Sequence, residues 1–266
     1  MKLLRALAEP VKAFGLRRAV SLCCLATVAA CYLGMQPGGD LMVQARTREL
    51  PVYSVERNDG KIAISFDAAW GASQTEALLD ILDEYGVKTT FFVVGLWVEK
   101  YPELIQEIAA RGHEIGNHST THPQMSKLSA EKIAEELRIT SDRIEQLTGT
   151  RPTLFRPPYG DYNDTVVRVS REQGYECVQW NVDSLDWKNR GVDDLIQRAT
   201  KNSASGDIVL FHNDSEYIVQ ALPTILEKYQ ADGFTIVPVS QILLQGETTI
   251  DHTGRQHQKE PTNNTI

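Results

Sequence analysis

Residues 61–95, KIAISFDAAWGASQTEALLDILDEYGVKTTFFVVG, decide the fold. The opening KIAISF is a short apolar strand signal, and Thr89-Thr90-Phe91-Phe92-Val93-Val94 is β-branched and aromatic, the composition of a buried strand. Between them Ala77, Leu78, Ile81 and Leu82 recur at helical spacing across residues 74–85, and Gly86 closes the run. A strand, a helix and a second strand on short links make a crossover unit whose two strands run parallel.

The alternation continues outward from this unit. Residues 101–111 read as a helix with Pro102 in its first turn and Gly112 at its end. Residues 129–147 form a long amphipathic pattern opened by Ser129 and stopped near Gly149. Residues 154–156, 176–181, 208–212 and 234–237 read as strands, and 164–173, 193–201 and 215–229 as helices. Seven or eight parallel strands with crossover helices predict a (β/α)7–8 barrel, one domain spanning residues 59–245, in preference to an open sheet.

The flanks differ from this body. Residues 1–50 carry seven Lys/Arg against three Asp/Glu, so +4, which leaves −12 on the remainder of a chain of net charge −8. An acidic body excludes nucleic acid as the expected partner, because phosphate binding needs a basic face. Arg17-Arg18 precede an uncharged, largely apolar run from Ala19 to Met35, the pattern of an export signal or a short membrane anchor over residues 1–35. Basic residues on that flank predict a cytoplasmic N-terminus and an exported body, secreted or membrane-anchored. Val28-Ala29-Ala30-Cys31 also resembles a lipobox, which would make Cys31 an acylated N-terminus. Residues 36–58 read as a linker, and residues 246–266, nearly devoid of apolar side chains, as a disordered polar tail. Three of the four cysteines lie in the apolar run; Cys177 alone falls in the body, so no disulfide within the domain is possible and a buried inert thiol is expected.

In a parallel barrel, chemistry gathers at the carboxyl ends of the strands. Read in order, those ends hold Asp67, then His118 and His122, then Arg156-Pro157-Pro158-Tyr159-Gly160, then Asp183 and Asp186-Trp187, and last His212. His118 and His122, four residues apart in a turn or helical start, can offer two neutral nitrogens to a divalent ion. Amide hydrolysis asks for an activated water, a base and an acid, and Asp and His suit the last two roles. Taken singly, Arg156 and Asp67 read equally as a structural ion pair, and Trp180 and Trp187 as core.

The ordered set SFD, HSTTH, RPPYG, DSLDW and LFH resembles the five motifs of the NodB-homology polysaccharide deacetylases, carbohydrate esterase family 4, over about residues 61–244. The resemblance implies a distorted (β/α) barrel and removal of acetyl groups from a chitin-like glycan, peptidoglycan or xylan. It implies a divalent metal, Zn²⁺ or Co²⁺, on His118 and His122, with Asp67 as general base. Arg156 would keep Asp67 ionised, His212 would protonate the leaving amine, and Asp186 would orient His212. Tyr159, through its backbone N–H, would help hold the oxyanion, while Trp187 and Leu210 would line the acetyl pocket.

One departure from the family pattern stands out. The family usually has two adjacent acids after the first strand, the second being a metal ligand, but here the run is Asp67-Ala68-Ala69-Trp70. A methyl group cannot coordinate, so metal binding should be weak or altered, with Asn117 or Asp67 as stand-in donors. The same run is similar to the PdaB-like sporulation branch of the family, which implies a cell-wall glycan of a spore former. Against a working deacetylase stands a glycan-binding pseudoenzyme that lost turnover with Ala68. A zinc peptidase lacks an HExxH, and a glycosidase on Asp183 and Asp186 would leave the histidines without a task.

Overall fold

The computed structural model describes residues 48–259. Residues 1–47 and 260–266 lie outside it, and with them the signal or anchor at 1–35, the lipobox at Cys31 and part of the 36–58 linker. Among the described residues no helix is long and apolar enough to cross a membrane.

Eight parallel strands form the main sheet: β2 (Lys61–Ala68), β3 (Thr90–Val93), β4 (Glu114–Asn117), β5 (Leu154–Phe155), β6 (Glu176–Cys177), β7 (Val182–Asp183), β8 (Ile208–His212) and β9 (Thr235–Val237). Their order is β6-β5-β4-β3-β2-β8-β7, a curled half-barrel with β6 and β7 at its two open edges. This is the expected distorted (β/α) barrel. Ala63 pairs with both Ile208 and Val237, so β9 sits on the side of β2 opposite β8, beneath β3. Helices α1 (Thr75–Glu84), α2 (Gly95–Lys100), α3 (Pro102–Ala110), α4 (Ala130–Thr148), α5 (Asp164–Glu172), α6 (Val192–Thr200) and α7 (Ile218–Ala231) connect the strands, and α8 (Val239–Ile242) follows β9. As its sequence promised, Ser129 caps α4 by accepting from the Lys132 N–H.

The central strand shows why the site lies where it does. Side chains alternate between the faces of a strand. Along β2, Ile62, Ile64, Phe66 and Ala68 enter an outer core with Leu78 and Leu82 of α1 and Ile225 of α7. Ala63, Ser65 and Asp67 take the other face. Ala63 joins Val52, Phe92, Leu154, Ile208, Val239 and Ile242 in an apolar inner core, whereas Ser65 and Asp67 meet Arg156. The inner space is therefore greased at its base and polar at its top. Cys177 is wholly buried, and burial pushes its thiol up to about 12, as an inert core cysteine should be.

Two sequence expectations are corrected. Residues 48–58 are not linker: Val52 and Val55 are fully buried, and Val52 bonds along the edge of β6, donating to Cys177 O and accepting from the Gln179 N–H. This stretch caps the open edge of the sheet. Nor is the tail disordered as far as Lys259. β1 (Ser54–Val55), β11 (Arg255–Gln258) and β10 (Thr248–Ile250) make a small second sheet. Its order comes from backbone ladders and from polar side chains such as the buried Gln256, whose Oε1 accepts the Leu244 N–H, features that an apolar count cannot register.

His257 on β11 ties both ends together, its Nδ1 2.9 Å from Glu56 Oε2 and its Nε2 2.8 Å from Asp251 Oδ2. Only the imidazolium can donate from both nitrogens, and the bonds to Asp251 and Glu56 raise its pKa. A raised folded-state pKa stabilises fully below the unfolded value of about 6.5, and the gain is lost as the pH climbs through the folded value. Glu56 is 62% exposed, so solvent screening keeps the gain small. His257→Ala should therefore lower the melting temperature by about 1–3 °C at pH 6 and by less at pH 9. Equal losses at the two pH values would show that the charged contacts add nothing.

Candidate active site

The carboxyl ends of β2, β4, β5, β7 and β8 bring every sequence-predicted residue to one cleft of about 790 Å³ or to its immediate walls. Asp67, His118, His122, Tyr159, Trp187, Leu210 and His212 line it. Arg156 and Asp186 lie just behind, each bonded to a lining residue.

Arg156 is fully buried. Its Nη1 donates to Asp67 Oδ1 at 2.8 Å, and its Nη2 donates to Ser65 Oγ at 2.8 Å and to Gln179 O at 3.1 Å. The guanidinium carbon lies 4.1 Å from the centroid of the Phe92 ring, so the planar cation is stacked as well as paired. Burial alone would raise the pKa of Asp67, but the adjacent Arg156 charge and its hydrogen bond, together with the neighbouring imidazoles of His118 and His212, outweigh it and hold the carboxyl below its ordinary range. Asp67 is thus an ionised carboxylate with Oδ1 engaged and Oδ2 turned to His118.

His118 sits directly after β4. Its Nδ1 lies 2.6 Å from Arg156 O, which as a carbonyl can only accept. The proton is therefore on Nδ1, and Nε2 presents a lone pair 3.4 Å from Asp67 Oδ2. Two acceptors face each other across a gap that a cation suits. His122 presses its ring within 5.0 Å of that of His118 and 4.4 Å of that of Tyr159, and its buried Nδ1 has no protein partner. Burial lowers the pKa of both imidazoles, His122 to about 4, so both are neutral near pH 7, the form that ligates metals. The pair fits a divalent ion as two of its ligands. Among the described residues no set of three or more His, Cys, Asp or Glu side chains is arranged to hold one. Ala68 is wholly buried, and Asn117 is no substitute: its Nδ2 donates to Leu137 O and Ser141 Oγ of α4, while its Oδ1 accepts from the Ser119 N–H.

The His118–His122 stretch is a loop, not a helical start, and it is held in a costly shape. Ser119 and His122 have φ of 68° and 58°. Glu136 of α4 pins it: Oε2 accepts the N–H groups of Thr120 and Thr121, and Oε1 accepts the Thr121 hydroxyl. From the other side the N–H groups of Gly95 and Leu96 donate to Ser119 O and Thr120 O. A Cβ at Gly95 would stand 2.5 Å from Thr140 Oγ1 and 3.0 Å from Thr120 Cα, so only glycine lets α2 approach the loop this closely.

Opposite, His212 pairs in register with Asp67 on the neighbouring strand. Its Nδ1 lies 2.7 Å from Asp186 Oδ1, and its backbone N–H donates to Asp186 Oδ2 at 2.7 Å. Burial pulls the His212 pKa down, but the hydrogen bond and charge of Asp186, with the charges of Asp67 and Asp183, together outweigh it and the net shift is upward. With Nδ1 committed, Nε2 is the nitrogen left for the cleft.

Sequence reasoning missed several participants. Ser65 and Gln179 orient Arg156, and Glu136 shapes the histidine loop. Asn213 and Asp214, directly after His212, bind the loop that follows β2, and Trp70 stands on that loop. Ser65 lies within the SFD motif, Trp70 ends the Asp67–Trp70 run, and Asn213 and Asp214 border LFH, which was a usable signal; Gln179 and Glu136 act only through long-range contacts.

The sequence matches the polysaccharide deacetylase family model over residues 54–178. It is 37% identical over 196 residues to a peptidoglycan-N-acetylglucosamine deacetylase of Bacillus cereus, covering 72% of this chain and 92% of that protein. It is 34% identical to the peptidoglycan-N-acetylmuramic acid deacetylase PdaC of Bacillus subtilis, covering 71% of this chain and 40% of that longer protein. Among solved structures, a Bacillus anthracis protein described as a carbohydrate esterase family 4 pseudoenzyme superposes with a TM-score of 0.70 at 32% identity, over 72% of this chain and 68% of that one. A mutant of that pseudoenzyme, described as having restored enzymatic activity, matches at 33% identity with the same score, over 72% of this chain and 70% of that one. Motif order, barrel and near-complete coverage of the Bacillus cereus relative agree, and the chain belongs to the polysaccharide deacetylase family, the NodB-homology proteins of carbohydrate esterase family 4.

Proposed function

We propose that this chain removes N-acetyl groups from a cell-wall glycan, peptidoglycan or a chitin-like chain, with a divalent metal, Zn²⁺ or Co²⁺, and does so outside the cytoplasm. The observation that carries the reading is an ionised base and a protonatable acid facing one cleft from adjacent strands. Asp67 is held anionic by Arg156, and the Asp186 carboxylate at Nδ1 shifts His212 toward its protonated form.

His118 and His122 would hold the ion. When bound, the ion supplies Lewis acidity, lowering the pKa of a water and polarising the amide oxygen. Asp67 Oδ2 takes the proton of the attacking water, while the Arg156 bond on Oδ1 fixes the carboxylate's aim. The carbonyl carbon becomes tetrahedral, and the Tyr159 backbone N–H stabilises its oxygen. His212 Nε2 then gives a proton to the nitrogen as the C–N bond breaks, releasing acetate and an amine, and Asp186 steadies the imidazolium until that transfer. Leu210 and Trp187 wall the space for the acetyl methyl. The basic, apolar N-terminus supports an exported body, membrane-anchored or secreted, and the similarity of the Asp67–Trp70 run to the sporulation branch supports a role in spore wall or cortex.

Ala68 favours a second reading, a pseudoenzyme that binds the glycan without turning it over. Acetate release by the full chain from N-acetylated peptidoglycan fragments and chito-oligosaccharides separates the two, with added Zn²⁺ or Co²⁺, with chelator, and with His118→Ala as the blank. The expected result is metal-dependent release at least about tenfold above the blank, since a metal-activated water contributes far more than that. Glycan binding with no release above the blank would instead establish the pseudoenzyme.

A further inference from the structure

Trp70 is 70% exposed beside the cleft, although a free-standing indole in water is an unfavourable use of the largest apolar side chain. It is not there for want of structure. The next residue, Gly71, is locked in place: its carbonyl accepts both the indole N–H of the buried Trp97 and the Nδ2 of the buried Asn213, each at 2.9 Å. A Cβ at Gly71 would fall 1.7 Å from Asp214 Oδ2, so the loop and the β8–α7 turn touch without room for a side chain. Asp214 also accepts from Ser73 Oγ at 2.7 Å and from the Gln74 N–H at 3.2 Å. The backbone under Trp70 is thus fixed while its ring stands in solvent, with its centroid 5.4 Å from that of His122. A rigid, exposed aromatic at the rim of a cleft is how a protein presents a platform to a ligand at little entropic cost.

We propose that Trp70 is a stacking platform for a second pyranose ring of the glycan, beside the sugar whose acetamide reaches His122, and that it makes the protein favour oligomers over a single sugar. A pyranose has one face of axial C–H groups and an equatorial fringe of hydroxyls. The C–H face matches the electron-rich indole while the hydroxyls remain in water. A cleft of about 790 Å³ exceeds what an acetamide requires and leaves room for the neighbouring ring. This inference rests on the glycan reading of the site.

The test is calorimetric binding to the full chain, which needs no turnover, with N-acetyl-chitotetraose and with N-acetylglucosamine as probes. Trp70→Ala should weaken tetramer binding by about tenfold, with little change for the monosaccharide, and Trp70→Phe should keep most of the tetramer affinity. Zn²⁺ titration of the same variants controls for an effect passed through His122, and their melting curves report folding. Equal tetramer affinity in Trp70→Ala and the parent would overturn the proposal while leaving the glycan reading intact. A loss of Zn²⁺ affinity matching the loss of tetramer affinity would also overturn it, by making Trp70 a support for His122. If the folded parent binds neither the tetramer nor peptidoglycan fragments, the glycan reading itself fails and the platform falls with it.

Discussion

The substitution Ala68→Asp lowers the melting temperature of the metal-free protein and makes that temperature respond steeply to Zn²⁺. Ala68 is the last residue of β2, next to Asp67, wholly buried and among the apolar side chains of the outer core. A carboxylate introduced there without a partner costs several kcal/mol, on the order of 3–5 by analogy with breaking a buried pair. It can escape that cost by protonation or by turning toward the lone pair of His118 Nε2, where a divalent ion would satisfy carboxylate and imidazoles together. A third protein ligand brings the set to the number usual for catalytic zinc. The affinity should rise by on the order of 100-fold, and stabilisation then follows RT ln(1 + [Zn²⁺]/Kd), about 2.7 kcal/mol for each hundredfold excess over Kd. Differential scanning fluorimetry with chelator and with Zn²⁺ reads both effects. Ala68→Asn, of the same shape without the charge, should show a smaller cost and a weaker zinc response. If the aspartate variant is destabilised but indifferent to Zn²⁺, its carboxylate has stayed in the outer core and position 68 cannot complete the metal set. The same variant bears on turnover, since acetate release appearing only in Ala68→Asp would identify the parent chain as a pseudoenzyme.

The rim of functional residues was legible because the barrel's logic is local. Each strand signal is followed within a few residues by a charged or imidazole side chain, and parallel strands deliver all such ends to one face. Asp67, Arg156, Asp186 and His212 could be chosen from the sequence for this reason, and His118 by its spacing from His122, although the short strand before it, β4, was not read. What could not be chosen depends on contacts distant along the chain. Glu136 clamps Thr120 and Thr121 from the middle of α4, where it reads as an ordinary helix-surface acid. Residues 176–181 read as one strand, yet they serve two edges: Glu176–Cys177 pair with β5, whereas the Asn181 N–H donates to Ile208 O at the base of β8. The chain crosses the sheet's opening between them, and Val52 fills the space along β6. The small sheet of β1, β10 and β11 escaped notice because hydropathy reports burial of side chains and is blind to backbone pairing between polar segments.

Removing the Arg156 guanidinium should be the most destabilising single change near the site, and by a route that pH exposes. Arg156→Met keeps the unbranched apolar stem and deletes the charge, so Asp67, 6% exposed, loses its ion pair and Ser65 Oγ and Gln179 O lose a donor. Breaking one side of a buried pair costs about 3–5 kcal/mol, which for a domain of this size lowers the melting temperature by on the order of 10 °C. In the parent the Asp67 pKa is depressed, so its contribution is present above the unfolded value of about 3.9 and disappears as the pH falls through the folded one. In the variant burial is left with weaker opposition, the folded-state pKa rises above the unfolded one, and the ionised form becomes the liability. The deficit should therefore be larger at pH 8 than at pH 5, where Asp67 can take up a proton. Adding Asp67→Asn removes the stranded charge, and the double variant should recover most of the loss at pH 8. Should the double variant melt as low as Arg156→Met alone, with a deficit independent of pH, the cost would lie in the packing of the guanidinium over Phe92 and not in the charge that holds Asp67 ready as a base.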